Sequence, residues 1–210
     1  MIDTEKQLVF KKEEGSHIFF TSDTHFHHEN ILKFCSRPYN NVEEMNEDLI
    51  RRWNAKVGEK DIVFHLGDFA WGGYEKWKSV LERLKGRIIL IMGNHDDKNL
   101  SELTKPYFEH ITYQMKIMVG DRPLYLNHYP FLCFGGAYRN VWQLFGHVHS
   151  VPEDNPSYGH GPDYPRLDHL LKCQLDVGVD ANNYEPISFV EVEEKIVSHF
   201  NKPKNIIENA

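Results

Sequence analysis

A carboxylate and an imidazole two residues apart, Asp23 and His25, follow the apolar run 17–22 and precede His27 and His28. Just past a strand end such a pair can point the same way and close on one cation. Three further polar clusters end later apolar runs: Gly67-Asp68, Gly93-Asn94-His95-Asp96 and Gly146-His147-Val148-His149. Oxygen and imidazole donors without a thiolate suit Mn2+, Fe, Zn2+ or Ni2+ over soft ions, and a bridging carboxylate can hold two cations about 3.5–4 Å apart. Such a pair clamps a phosphoryl group and lowers the pKa of a trapped water toward about 7.

The elements that must position these clusters alternate strand and helix. Strands are expected at 17–22, 61–67 and 87–92, each emptying into one of the polar clusters. A short helix spans 29–35; Asn41 caps a longer one, in which Met45, Leu49, Trp53 and Val57 recur every four residues, and another runs from Tyr74 to Lys85. This pattern predicts a mostly parallel sheet whose carboxyl edge carries the chemistry. Beyond residue 110 helices become scarce. A hairpin around Gly120-Asp121 (111–119 with 122–127) and strands at 142–146 and 173–179 predict a second, more antiparallel sheet packed on the first. Residues 7–12 read as an edge strand paired with 17–22 across a turn at Glu13-Glu14-Gly15, and Ser188 to Glu191 as a capping box opening a last helix to about Phe200.

Length and composition favour one soluble domain over residues 1–210: 40% of residues are apolar and 26% charged. The formal net charge of −7, with no long Lys/Arg block, argues for a small or locally bound substrate over a long nucleic acid. Thirteen histidines in 210 residues point to metal binding or proton transfer. Cys35, Cys133 and Cys173 are widely spaced and lack a C-x-x-C pair, so reduced thiols are expected. With no signal-peptide core and no run long enough to span a bilayer, the expected location is cytoplasmic, without a membrane partner. Residues 150–170 hold four prolines and two glycines with little periodicity, and read either as a substrate lid or as a surface insertion.

The ordered set D-T-H, G-D, G-N-H-D, a lone histidine before Tyr129-Pro130, and G-H-V-H resembles the calcineurin-like metallophosphoesterase superfamily, in its small bacterial and phage-type branch. The resemblance runs from residue 23 to residue 149. It implies an α/β fold, a four-layer α/β/β/α sandwich of two mixed β-sheets with the metal site at the carboxyl ends of the strands. It also implies two divalent transition-metal ions, manganese first, with Fe, Zn or Ni as alternatives. One metal would be held by Asp23, His25, Asp68 and His149, the other by Asp68, Asn94, His128 and His147. The implied reaction is phosphoester hydrolysis by attack of a metal-bound hydroxide. His95 resembles the family's non-ligand histidine, suited to protonating the leaving alkoxide. Asp96 is placed to orient His95, to cap the helical turn 97–103, or both. Asp68-Phe69-Ala70-Trp71 lacks the Asp-Arg-Gly signature of the phosphoprotein phosphatases, which favours phosphodiesters or small nucleotides.

Candidate substrate contacts are His27, His28, Arg37 and Arg139, with Asn140 beside the last; each also has an ordinary packing or surface reading. His65, inside a strand, reads as a core or supporting residue, His17, His110 and His199 as structural or surface, and His160, in the proposed lid, as a lesser candidate of the same kind as His27 and His28. Asp176 and Asp180, around Gly178, are expected to support a loop without ligating metal. Two other enzymatic readings are a nuclease on single-stranded nucleic acid, disfavoured by the charge, and a mononuclear zinc hydrolase, disfavoured by the surplus of ligands. A non-catalytic scaffold would be expected to have lost ligands, and none of the seven is missing.

Overall fold

The computed structural model describes residues 7–139, 141–151 and 167–201. Its strands are β1 (Leu8–Phe10), β2 (Ile18–Thr21), β3 (Ile62–His65), β4 (Arg87–Ile91), β5 (His110–Thr112), β6 (Gln114–Val119), β7 (Arg122–Asn127), β8 (Trp142–Phe145), β9 (Gln174–Asp176) and β10 (Ile187–Ser188). The helices are α1 (Ile31–Phe34), α2 (Val42–Lys56), α3 (Tyr74–Leu81), α4 (Asp96–Asn99) and α5 (Phe189–Asn201).

Two mixed five-stranded sheets form, ordered β10-β2-β3-β4-β5 and β1-β6-β7-β8-β9. Side-chain alternation explains why both faces of the first sheet are apolar. Phe20, Phe64 and Ile89 share a buried cluster with Ile117, Leu126 and Leu144 of the second sheet. Their neighbours Phe19, Val63 and Leu90 instead pack with Met45, Leu49 and Trp53 of α2 and Trp77 and Val80 of α3. A strand buried on both faces must read as a continuous apolar run, which is how these segments read. Each such side chain contributes about 1.5–3 kcal/mol on burial.

The two predicted caps form. The Asn41 side chain accepts the Glu44 amide at 2.8 Å. The Ser188 amide donates to Glu191 at 2.7 Å while the Glu191 amide donates back to the Ser188 hydroxyl at 3.3 Å. No helix among the described residues is long and apolar enough to cross a membrane.

Three expectations are corrected. β1 pairs in parallel with β6 of the second sheet, not with β2. The expected turn is a six-residue 3-10 helix, Lys12–His17, whose ~2.0 Å rise per residue bridges the ~10 Å between stacked sheets, where a tight turn would return the chain to the same sheet. The run 111–119 is divided, β5 joining the first sheet and β6 the second. In consequence β6–β7 is the second sheet's antiparallel pair, while β1–β6, β7–β8 and β8–β9 are parallel. The segment proposed as a lid falls mostly on 152–166, outside the described residues, as do His160 and Asn140.

Candidate metal centre

Parallel strands deliver their exits to one edge. Asp23, Asp68 and Asn94 follow β2, β3 and β4 in the first sheet; His128 and His147 follow β7 and β8 in the second. The Gly146 amide donates to the His128 carbonyl at 2.9 Å within the second sheet's edge, and the two edges are stitched together by the Val179 amide donating to the Ser22 carbonyl at 3.0 Å, beside a parallel bridge between Ser22 and Gly178.

The donors converge as two triads, Asp23/His25/His149 and Asp68/His128/His147, with the ligand atoms of each triad within 4.8 Å of one another. Asp68 Oδ2 lies 3.6 Å from His25 Nε2 and 3.5 Å from His128 Nε2, between the two sets. Asp23 Oδ1 lies 4.0 Å from His25 Nε2 and 3.8 Å from His149 Nε2. Asn94 Oδ1 is 3.1 Å from His128 Nε2. Asp23 Oδ1 and His25 Nε2 are buried and have no hydrogen-bond partner. Leaving such groups unsatisfied is expensive, and a divalent cation is the ligand that their chemistry fits.

The other atom of each group is occupied in a way that aims the first. The His147 amide holds Asp23 Oδ2 at 2.9 Å and the His95 amide holds Asp68 Oδ1 at 2.9 Å, freeing the opposite carboxylate oxygens. His128 Nδ1–H donates to the Leu66 carbonyl at 2.7 Å and His149 Nδ1–H to Asp180 at 2.7 Å, so each presents an unprotonated Nε2 when neutral. His25 Nδ1 meets His28 Nδ1 at 3.2 Å.

The backbone bends to make these approaches. Asp23, His25, Asp68, His147 and His149 have φ of 57°, 49°, 56°, 72° and 47°, the left-handed region that side chains avoid. Each costs about 1–3 kcal/mol and is held by surrounding bonds such as Asp23 N to Gly67 O, 2.9 Å. Gly67, at φ 95°, and Gly93 supply the close contacts: a Cβ on Gly67 would lie 2.5 Å from the Gly93 amide nitrogen, and one on Gly93 would overlap Asp68.

Charge is shared unevenly among the histidines. Burial and the nearby His149 and Arg37 hold His25 well below its ordinary pKa. Burial works against a proton on His128, but the Asp68 and Asp23 carboxylates push it up to about 9. His149 is likewise held well above the usual range, Asp23 and Asp180 outweighing its burial.

A family model for calcineurin-like phosphoesterases matches residues 16–181. The chain belongs to that family. An uncharacterized protein of Methanocaldococcus jannaschii is 36% identical over 173 residues, 81% of this chain and 86% of the relative. The Gene 66 protein of Mycobacterium phage L5 is 27% identical over 192 residues, 79% of this chain and 87% of the relative. Among solved structures, a protein of unknown function from Aquifex aeolicus superposes with a TM-score of 0.62 at 27% identity, covering 84% of this chain and 97% of that one.

Within this phosphoesterase fold several expected roles are revised. Asp96 neither orients the His95 ring nor caps a helix. Its carboxylate accepts the amides of Asp68 and Gly93 at 2.8 Å and Phe69 at 2.9 Å, tying the second and third metal loops together. Burial pushes it up to about 7 against those three donors. The carboxylate near the His95 ring is Asp68, whose Oδ2 is 3.9 Å from Nε2.

Arg37, expected as a substrate contact, is buried, its guanidinium donating to Asp180 at 2.8 and 2.9 Å and to the carbonyls of Asp23 and Thr24 at 2.6 and 3.0 Å. His27 faces away, bonded to Asn46 and Ser79 at 3.1 and 3.2 Å. His28 is at the site, but its ring stacks on Trp71 with centroids 4.5 Å apart while Nδ1 holds His25. Arg139 is exposed on a short 3-10 turn, Ala137–Arg139.

Three residues that sequence reasoning left out of the site, or gave another role, belong to its walls. Trp71 lines the His28/His95 flank, 5.4 Å from the His95 ring. Tyr129 packs 4.7 Å from the His147 ring. Asp180, expected as loop support, holds His149. An aspartate beside a glycine in a late loop was the available signal; Trp71 and Tyr129 carried none beyond standing next to motif residues.

Proposed function

We propose that the protein hydrolyses phosphoesters, diesters or small nucleotides ahead of phosphoproteins, with two divalent cations of the manganese type. Asp23, His25, Asp68 and His149 would hold one ion, and Asp68, Asn94, His128 and His147 the other. When bound, such a pair supplies charge neutralisation on phosphate oxygens and a water acidic enough to attack near neutral pH. The single observation carrying the reading is Asp68 Oδ2, within 3.6 Å of an imidazole nitrogen from each triad.

The chain's own groups do the rest. His95 keeps its side chain 35% exposed beside this cluster and is not taken up by Asp96, so its ring is free to deliver a proton to the departing oxygen. Trp71 and His28 stack against one flank, and packing of this kind limits the rotamers open to His95. The Asp180 carboxylate and the Leu66 carbonyl fix the tautomers of His149 and His128.

The test is a reconstitution with Mn2+, Zn2+ or Ni2+ followed by assay on bis-p-nitrophenyl phosphate, p-nitrophenyl phosphate, a cyclic nucleotide and single-stranded DNA. About two ions per chain and turnover of the diester support the proposal. Two ions with no turnover of any ester would reject it in favour of a binding role.

A further inference from the structure

A cavity of about 530 Å³ opens beside the metal centre, its lining including Tyr129, Leu132, His147, Leu167, His169 and Leu170. Its volume is within the range of small-molecule sites, about 300–1,000 Å³. His147 belongs both to this cavity and to the Asp68/His128 triad. Tyr129 joins the two: its ring is 5.0 Å from His128 and its hydroxyl 3.4 Å from Asn94 Oδ1. Among the described residues the lining carries no carboxylate, lysine or arginine, its polar groups being Tyr129, His147 and His169, and Leu132, 83% exposed, stands as an unpaired apolar side chain.

His95 is packed by residues that do not line this cavity, its ring 5.4 Å from His25 and from Trp71 and 5.8 Å from His28. A histidine that protonates the leaving oxygen must be next to it. A leaving group beside His95 would sit on the Trp71 flank and would leave the Tyr129 and His147 side to the substituent that stays on phosphorus.

Building on the phosphoesterase reading, we propose that this cavity selects phosphodiesters whose retained arm carries an uncharged aromatic ring, a nucleobase or a simple aryl group. A monoester has no such arm and gains nothing from the cavity. A second phosphate or an acidic peptide would meet no lysine or arginine among the described lining residues and mostly apolar walls, where charge is costly to place.

The test holds the leaving group constant. The Mn2+-loaded protein is assayed with the p-nitrophenyl esters of methyl phosphate, phenyl phosphate and thymidine 5′-phosphate, and the binding of phenylphosphonate and methylphosphonate is measured by calorimetry. We expect kcat/KM about 10- to 100-fold higher for the phenyl or thymidine ester than for the methyl ester, the range one apolar pocket supplies. The phenyl and thymidine arms distinguish a simple aryl pocket from a nucleoside pocket.

Leu132→Asp, at an exposed position that folding does not depend on, and Leu170→Asp should each bring the phenyl-to-methyl ratio toward one while metal content stays at two. Turnover of all esters with no phenyl preference, or a preference untouched by both variants, overturns the cavity's role and leaves the phosphoesterase reading standing. A phenylphosphonate preference lost in Leu132→Asp, without turnover of any ester, supports the pocket and overturns that reading instead.

Discussion

Asp180 stands between His149 and Arg37: one carboxylate oxygen accepts from His149 Nδ1 at 2.7 Å and from Arg37 at 2.8 Å, and the other from Arg37 at 2.9 Å. A carboxylate behind a ligating histidine raises its basicity and locks its ring. Asp180→Asn should therefore weaken Mn2+ binding by about 10- to 100-fold, and should also lower the urea midpoint, because the Arg37 guanidinium is left buried without its carboxylate. Equilibrium dialysis checks this, and unchanged affinity would show that Asp180 does not act through His149.

Arg37 separates stability from ligand support: its loss also leaves a buried charge, but its guanidinium touches Asp180 and the carbonyls of Asp23 and Thr24 and no ligand side chain. Neither side chain of the Arg37–Asp180 pair is exposed to solvent. Removing one partner of a buried pair costs about 3–5 kcal/mol, so Arg37→Ala should lower the urea midpoint sharply even without metal. A midpoint shift within error would mean that water reaches Asp180 and replaces the guanidinium.

Asp68 and His95 should separate binding from turnover. Asp68→Ala removes the oxygen shared by both triads and should abolish both metals and activity. His95→Ala should keep about two metals and lose about 10²- to 10⁴-fold in kcat. Elemental analysis alongside single-turnover rates decides the matter; metal loss in His95→Ala, or activity in Asp68→Ala, would contradict the assignments.

His65 provides a pH prediction. It is fully buried, accepts the Gly67 amide at Nδ1 and reaches the Thr24 hydroxyl at 2.9 Å through Nε2, so both nitrogens are satisfied in the neutral ring. Burial pushes it down to about 3 from the ordinary 6.5. The unfolded chain takes up this proton near pH 6.5 and the folded chain does not, so the contribution is present above pH 6.5 and drains away as pH falls toward 3. Between pH 6.5 and 5 the loss is about 2 kcal/mol. His65→Gln keeps a donor toward Thr24 without a titrating group, and should lose about that much less over the same interval in urea unfolding. Equal losses for both proteins would place the acid sensitivity elsewhere.

By itself the sequence determined which donors exist and which edge they occupy. Strand periodicity puts Asp23, Asp68 and Asn94 at the exits of adjacent parallel strands, and the absence of thiolates from the motif clusters narrows the metal; both are local properties, legible within a few residues. The two mixed sheets followed from the same alternation, although the sheet that β1 joins depended on a 3-10 bridge whose length only the fold reveals. What tertiary structure alone decided is the partner of each second atom. His149 finds Asp180 31 positions along the chain, and Asp180 finds Arg37 143 positions away. Those contacts turned Arg37 from a phosphate binder into a buried clamp, Asp96 from a partner of His95 into a tie between loops, and His28 into a brace for His25. A histidine's two nitrogens are chemically alike in sequence, and only the atom facing Nδ1 settles which nitrogen is left for a metal.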